Sequence, residues 1–178
     1  ISNLFSHSTD PDSGGIYIYT GPADEGGTEL GDGWERSASV EFFNSDQFAD
    51  FQEDCGLRIH GGHSKRSEKT PKHSFRLCFR SEYGVTKLNY PILKDCETSS
   101  FNTLVLRGGY GNNWLNRVSE RRVRAQLIRD VWAKDTQLDM GHPSAHGTFV
   151  HLYLNGIYWG IYNPTERVDD DFAVTYFG

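Results

Sequence analysis

Basic side chains recur along the segment KHSFRLCFR, residues 72–80. Because side chains of a strand alternate between its two faces, Lys72, Arg76 and Arg80 share one face, and aromatic and aliphatic side chains occupy the other. A further arginine, Arg107, lies near the end of the segment NTLVLRG, residues 102–108. Ammonium and guanidinium groups bind phosphate oxygens, and arginine can do so with two parallel hydrogen bonds. We predict that Lys72, Arg76 and Arg107 face phosphate, with Arg76 and Arg107 foremost; the alternative is a basic side that faces only solvent.

A glycine-containing loop is the second feature that suits phosphate chemistry. The loop HGGHSKRSEKTP, residues 60–71, joins two predicted strands and contains Gly61 and Gly62. Phosphoryl transfer requires cations around the phosphates, backbone N–H groups near them, and carboxylates that hold Mg²⁺ and orient the nucleophile. The cations and the loop are visible in this sequence. The acidic run at residues 169–171 is more typical of a cap on a short terminal helix.

The groups that could bind phosphate must be positioned by a small set of strands and one helix. Strands are predicted at 15–21, 37–43, 56–62, 72–80 and 102–108, and a single helical turn at 45–51. A single long helix is predicted from about residue 118 to residue 138, with an apolar stripe that comprises Val123, Leu127, Ile128, Val131 and Trp132. Asn155-Gly156 marks a closing β-hairpin. The predicted fold class is α+β, an antiparallel sheet of about five strands packed on the long helix.

Length and composition bound the remaining possibilities. A chain of 178 residues with 37% hydrophobic content can form one domain. We assign residues 34–178 to this domain and residues 1–33 to an irregular, turn-rich extension. The net charge of −6 argues against a general nucleic-acid partner, and no apolar run reaches the roughly 20 residues of a membrane span.

The cysteines and histidines do not predict a metal site. Cys55 and Cys78 lie on neighbouring predicted strands, where they could form a disulfide, but two buried thiols are the preferred interpretation. The spacing of cysteine and histidine matches no structural zinc motif. His60, His63 and His73 are expected to face solvent or to form hydrogen bonds.

Six sequence blocks occur in an order that has a known counterpart. They are the glycine turn at 60–62, the basic strand at 72–77, Tyr83-Gly84, Leu106-Arg107, Arg129-Asp130, and the hairpin NGIYWG at 155–160 with Glu166 after it. This order resembles the spore-coat-protein-H (CotH) kinase-like family, a divergent branch of the protein-kinase fold. The resemblance extends over residues 15–178, but His73 stands where the family has a second lysine.

The resemblance implies a kinase small lobe that binds ATP together with Mg²⁺. In an ordinary kinase, a lysine on the strand before the helix pairs with a glutamate on that helix. Arg107 would take the place of this lysine, and its partner would be Glu120, Asp130 or Asp135. Asp130 is preferred because it belongs to the family's Arg-Asp pair, although it could instead pair with Lys134 on the helix surface.

The same resemblance places Glu166 near the hinge between lobes, where residues 162–166 would form the wall against the adenine ring. The implied cofactor-binding residues are Lys72, Arg76, Arg107, Asp130, Gly61, Gly62 and Glu166. The complete protein would transfer phosphate from ATP to protein serine or threonine. The family's catalytic and Mg²⁺-binding aspartates belong to a large lobe after the hinge, so no catalytic residue is assigned here and this chain alone is expected to be inactive.

A second function class keeps the fold without the chemistry. In this alternative the domain is a noncatalytic interaction or structural module of a large secreted or cell-surface protein. Its partner would be an assembly partner rather than a protein substrate. A carbohydrate-binding domain is a third possibility and rests on aromatic content alone. The family resemblance implies an extracellular, cell-envelope or spore-surface location.

Overall fold

The computed structural model describes residues 35–44, 49–65 and 70–178. The predicted extension at 1–33, with its strand at 15–21, lies outside these residues. So do residues 45–48, where the predicted helical turn would begin. The folded domain predicted from residue 34 onward is therefore described from Glu35, with two short gaps.

A six-stranded antiparallel sheet forms the body of the chain. Its strands stand in the order β1-β2-β3-β6-β8-β7. They are β1 (Arg36–Phe43), β2 (Ala49–His60), β3 (Ser74–Cys78), β6 (Thr103–Arg107), β7 (Val150–Leu154) and β8 (Ile157–Glu166). Two very short strands, β4 (Leu88–Asn89) and β5 (Ser100–Phe101), pair separately. The antiparallel sheet is confirmed, with six strands rather than about five.

Strand β2 begins earlier than the sequence predicts. The helical turn predicted at 45–51 is wrong over its last three residues, because β2 already starts at Ala49. Phe51 lies opposite Phe42 of β1, and the two rings stack with centroids 5.7 Å apart. The ring of Tyr90 packs against both. Burial of this aromatic group favours the extended backbone over the local helical preference.

One face of the sheet carries the apolar core. Leu57, Leu77 and Leu104 lie side by side on β2, β3 and β6, and Phe75 packs against Tyr162 of β8. Leu88, Leu93 and Phe101, from the segment that contains β4 and β5, cover this face and are buried with it. Full burial of one such side chain contributes roughly 1.5–3 kcal/mol. This face therefore holds the strands together.

The predicted single long helix is wrong. The structure has two shorter helices, α1 (Ser119–Val123) and α2 (Arg129–Asp139), with turns between them. In the interruption, the Leu127 side chain packs against Gly109, and Arg129 donates a hydrogen bond to the Arg124 carbonyl oxygen. These two contacts favour the turn over continued helix, although no glycine or proline marks it.

The apolar stripe predicted for the helix is only partly buried. Leu127 and Val131 are half-buried, whereas Val123, Ile128 and Trp132 are exposed. The stripe stays exposed because α2 lies on the polar face of the sheet, which it contacts through Asp130 and Lys134. The helix therefore docks through charged groups rather than through an apolar stripe.

The two ends of the C-terminal region follow the sequence signals. Asn155 and Gly156 join β7 to β8 with positive φ angles of 49° and 75°, as a tight hairpin requires. Helix α3 (Asp170–Phe177) is capped by the Asp169 carboxylate, which accepts a hydrogen bond from the Phe172 N–H. Both predictions are confirmed. None of the helices in the described part of the chain has the length and apolar character needed to cross a membrane.

The three cysteines are separate thiols. Cys55 and Cys78 are both buried. Cys55 belongs to the apolar core. Cys78 lies opposite Gly56, the residue after Cys55 on β2, so the two cysteine side chains are on opposite faces of the sheet. The preferred interpretation of two buried thiols is confirmed.

Candidate functional site

A row of basic side chains crosses the polar face of the sheet. The register sets Arg58 of β2 opposite Arg76 of β3, and Arg76 opposite Val105 of β6. Directly opposed residues in an antiparallel sheet point to the same side, and so do residues two apart on one strand. The basic residues grouped around Arg76 on this side, with Arg76 itself, are Arg58, His60, Arg76, Arg107 and Arg167. We refer to these five residues as the basic face. Arg80 lies beyond the end of β3, where it pairs with Glu35.

Arg76 and His60 are in direct contact at the centre of the basic face. The Arg76 Nη2 atom lies 3.1 Å from the His60 Nδ1 atom, so a neutral His60 accepts a hydrogen bond from the guanidinium. Burial, together with the smaller effect of the charges of Arg76, Arg167 and Arg107, lowers the pKa of His60 to about 4. Burial, with repulsion from Arg58 and Arg167, also lowers the pKa of Arg76. Like charges are therefore crowded at this centre, and a bound anion would relieve their repulsion.

The Arg76 guanidinium has a buried donor that the rest of the described chain does not satisfy. Its Nε atom is inaccessible to solvent and has no hydrogen-bond partner among the described residues. No described carboxylate lies within ion-pair distance of it. Arg58, by contrast, lies 3.6 Å from the buried carboxylate of Glu35. A buried unsatisfied donor costs free energy, and an anionic oxygen is the partner that fits a guanidinium.

Arg107 connects the sheet to helix α2. Its Nη2 atom lies 3.2 Å from Asp130 Oδ1, and the other carboxylate oxygen of Asp130 lies 3.2 Å from Lys134 Nζ. Lys134 in turn donates a hydrogen bond to the Thr165 hydroxyl on β8. Both contacts that the sequence suggested for Asp130 therefore occur together. The chain Arg107–Asp130–Lys134–Thr165 fixes α2 on the same side of the sheet as the basic face.

Lys72 lies away from the other predicted phosphate contacts. It precedes β3, and its ammonium group donates a hydrogen bond to the Ile161 carbonyl oxygen and lies 4.7 Å from the centroid of the Tyr162 ring. Burial lowers the pKa of Lys72. The adjacent His73 is buried, and its Nδ1 atom lies 3.3 Å from the Ser64 carbonyl oxygen. Strand β3 begins only at Ser74, so its alternation does not extend to Lys72, whose ammonium group lies beside Tyr162 rather than beside Arg76.

Gly61 and Gly62 lie directly after β2, at the start of the predicted phosphate loop. Gly61 has φ +116°, a conformation that favours glycine, and Gly62 is exposed. The Gly62 carbonyl oxygen accepts a hydrogen bond from the Lys65 N–H within a short 3-10 turn. Residues 66–69 of the same loop lie outside the described part of the chain. The two glycines therefore sit beside His60, at one end of the basic face.

Glu166 is turned to the opposite side of the sheet from Arg76 and Arg107. It lies opposite Leu104, a residue of the apolar core. Its carboxylate accepts hydrogen bonds from the His146 backbone N–H and the Tyr176 hydroxyl and contacts the His146 ring. Its own N–H donates to the His146 carbonyl oxygen. The structure thus brings Arg76, Arg107 and Asp130 to one face and leaves Lys72 and Glu166 apart from them.

Three members of the basic face were not predicted as site residues. Arg58 and His60 alternate with Leu57 and Ile59 in the segment LRIH. The same alternation that predicted Arg76 on the polar face could therefore have predicted these two residues there. Arg167 follows a strand that extends to Glu166, further than the hairpin signal indicated. Only the register between strands shows that all three surround Arg76.

Comparison with known proteins assigns the chain to a family. No curated protein matches the chain. The family model described as CotH kinase protein matches residues 57–177, which include every residue of the basic face as well as Asp130 and α3. This match covers more than half of the sequence, and the chain therefore belongs to the CotH kinase family.

Proposed function

We propose that the basic face binds the phosphate groups of ATP, and that this domain is the nucleotide-binding lobe of a CotH-type protein kinase. The observation that carries the proposal is the buried Nε–H of Arg76, which has no partner among the described residues and lies within a crowded group of cations. A phosphate oxygen would satisfy this donor and offset the repulsion between Arg58, Arg76 and Arg167.

The pair between Arg107 and Asp130 supports the same proposal. In protein kinases, a strand lysine that contacts the nucleotide phosphates is held by a glutamate on the helix beside the sheet. Here an arginine on β6 is held by an aspartate on α2 at 3.2 Å. The contact uses the Nη2 atom, so the guanidinium fork can bind a phosphate through its other nitrogens. Asp130 would then orient Arg107 towards the nucleotide.

The roles within the site follow from these positions. Arg76 and Arg107 would bind phosphate oxygens, His60 would remain neutral and position Arg76, and Asp130 would position Arg107. Bound ATP with Mg²⁺ supplies the phosphoryl group for transfer to a protein hydroxyl. The acidic groups near the end of β8 have other partners, since Asp169 pairs with Arg167 at 3.0 Å and caps α3. We therefore propose that the transfer needs further carboxylates from the large lobe that the family resemblance implies.

Binding of ATP to this chain tests the proposal directly. Titration calorimetry, or displacement of a fluorescent ATP analogue, should give saturable binding by the unaltered chain. Arg76→Gln and Arg107→Gln should each weaken that binding by about 10- to 100-fold, because a hydrogen bond to a charged group contributes roughly 1.5–3 kcal/mol. Arg122→Gln is the matched control, since Arg122 is exposed on α1.

The outcomes separate the two function classes. Binding that Arg122→Gln leaves unchanged and that both other variants weaken supports the nucleotide site. Failure of the correctly folded chain to bind ATP, or equal affinity in all three variants, would remove the proposal. The alternative, a noncatalytic module of a secreted or cell-surface protein, would then be the better account of this domain.

A further inference from the structure

A second cluster of reactive side chains lies on the other side of the sheet, where four distant segments meet. Cys96 comes from the connection between β4 and β5, His146 from the segment before β7, Glu166 from the end of β8, and Tyr176 from α3. One candidate ligand atom from each of Cys96, His146 and Glu166 lies within 4.8 Å of the others. His146 and Glu166 are buried, and Cys96 is half-buried.

The Tyr176 hydroxyl lies between these three groups. It is 3.4 Å from Cys96 Sγ, 3.2 Å from His146 Nδ1 and 2.9 Å from Glu166 Oε1. The remaining contact, between His146 Nδ1 and Glu166 Oε2, measures 2.9 Å. The hydroxyl thus contacts a sulfur, a nitrogen and an oxygen that converge on one point. Three donor atoms of different types therefore lie close enough together to be candidates for ligands of one metal ion.

We propose that Cys96, His146 and Glu166 bind a divalent transition-metal ion, and that the chemistry of this donor set selects Zn²⁺. A thiolate, an imidazole and a carboxylate form the mixed set that suits a borderline-soft ion, whereas Mg²⁺ and Ca²⁺ prefer oxygen alone. Zinc-to-ligand distances of about 2.0–2.3 Å place tetrahedral ligands about 3.3–3.6 Å apart. The widest pair here, within 4.8 Å, must therefore approach by about 1 Å when the ion binds.

Charge balance also favours a divalent ion. Binding releases the Cys96 thiol proton to solvent, while the imidazole keeps its proton on the ring nitrogen that does not bind the metal. One thiolate and one carboxylate then neutralise the two positive charges of the ion. A neutral centre is the least costly arrangement at a buried position.

Cys96 is half-buried, so the cluster is partly exposed to solvent on its side. Glu166 also lines a cavity of about 100 Å³ together with Thr175 and Phe172 of α3. The ion would displace the Tyr176 hydroxyl from between the three donors. Because Tyr176 belongs to α3, occupancy of this site would change how α3 is held against β8. This site is separate from the basic face, since Glu166 points away from Arg76.

Cobalt substitution provides the experiment. Co²⁺ should bind to the chain with a stoichiometry of one to one and give a thiolate-to-cobalt charge-transfer absorption in the near ultraviolet. Zn²⁺ should displace the bound Co²⁺, whereas Mg²⁺ should not. Cys96→Ser should weaken Zn²⁺ binding by at least about 100-fold, because even an outer partner of a metal ligand contributes 10- to 100-fold. His142→Ala is the matched control, since His142 is exposed four residues before His146.

Chemical labelling keeps the proposal testable if Cys96→Ser does not fold. Zn²⁺ should slow alkylation of Cys96 in the unaltered chain by at least about tenfold, measured by mass spectrometry of the labelled peptide. Cys55 and Cys78 should label slowly with or without Zn²⁺, because burial raises their pKa to about 12 and about 11. A cobalt spectrum without a thiolate band, or a rate of Cys96 labelling that Zn²⁺ does not change, would contradict the metal site. The cluster would then be a set of hydrogen bonds that hold α3 in place.

Discussion

At the scale of single residues, the pKa of His60 reflects its burial and the positive charges around it. Its pKa of about 4 lies below the ordinary value of 6.5, so folding favours the neutral imidazole. Between about pH 6.5 and pH 4 the unfolded chain binds a proton that the folded chain does not bind. The free energy of unfolding should therefore fall as the pH is lowered through this window. NMR titration of the His60 ring, with urea unfolding at pH 7 and pH 5, measures both quantities.

His60→Gln is the control for this prediction, because glutamine keeps a hydrogen-bond acceptor near Arg76 without a titrating group. That variant should lose part of the difference in unfolding free energy between pH 7 and pH 5. A His60 pKa near 6.5 would contradict the crowding of cations described here. If ATP binds at the basic face, its phosphate charge should raise the His60 pKa, since it offsets the charges of Arg76, Arg107 and Arg167.

Alternation could predict the face of the sheet that Arg76 occupies, but not the position of Lys72, which precedes β3, and not every contact partner. Alternation placed Arg76 on the polar side of β3, and the family's Arg-Asp pair selected Asp130 as the partner of Arg107. The partners of Lys72 and Glu166 depend on how β8 packs against distant segments. No spacing along the chain encodes that packing. The cluster of Cys96, His146 and Glu166 could not be predicted for the same reason. Cys96 and His146 are 50 residues apart in the sequence, and His146 and Glu166 are 20 residues apart.

At the scale of elements, helix α2 is held by a charged contact rather than by apolar burial. Asp130 bridges Arg107 and Lys134, and none of the α2 residues is fully buried. Asp130→Asn should lower the free energy of unfolding by about 0.5–1 kcal/mol, because partly exposed ion pairs are screened by solvent. Asp135→Asn, at an exposed position of the same helix, should change it by less. Urea unfolding of the two variants compares them directly.

A double-mutant cycle distinguishes the pair from a general charge effect. Arg107→Gln should remove much of the effect of Asp130→Asn, because the two residues share one contact. Additive effects of the two substitutions would show that the helix is held by other groups. In that case the 3.2 Å contact between Arg107 and Asp130 would not contribute to docking.

The hairpin between β7 and β8 depends on backbone conformation. Gly156 has φ +75°, a region that costs other residues about 1–2 kcal/mol. Gly156→Ala should therefore destabilise the chain by about that amount, although open space surrounds its Cα atom. Gly111→Ala is the matched control, because Gly111 also faces open space and has no positive φ. Thermal or urea unfolding that fails to separate these two variants would contradict the assigned turn.

The elements could be predicted only where local signals and tertiary packing agree. The Asn155-Gly156 turn and the Asp169 cap are local, and both occur as the sequence indicates. The helix at 118–138 was predicted from an apolar stripe that the structure leaves largely exposed. That stripe faces no apolar surface, because the sheet presents its polar face to α2. A periodic pattern shows which residues could be buried together, but not whether a matching surface exists.

At the scale of the whole molecule, the two faces of the sheet have opposite roles. One face is covered by the segment that contains Leu88, Leu93 and Phe101, and it contains the apolar core. The other face gathers like charges around Arg76, which lowers stability where no anion is bound. Stability and the proposed binding function are thus assigned to different sides of the same strands. Substitutions on the basic face can change ligand binding without opening the core.

Hydrogen exchange should reveal this division across the whole molecule. Amide protons of β2, β3 and β6 should exchange slowest, because these strands have neighbours on both sides and their apolar side chains are buried. Amide protons of α1 should exchange fastest among the helices, since α1 has five residues, none of them buried, and no side-chain cap. Helix α2 should be intermediate, because it is fixed mainly through Asp130 and Lys134.

Mass spectrometry of exchanged peptides measures these rates, and ATP makes the comparison more specific. If Arg107 links a bound nucleotide to Asp130, saturating ATP should slow exchange in α2 by stabilising its docked position. Exchange in the β7–β8 hairpin around Gly156 should not change, because that turn lies at the far end of β8 from Arg167. Slower exchange in both regions would indicate general stabilisation, and α2 rates equal to those of β3 without ATP would contradict charged docking of this helix.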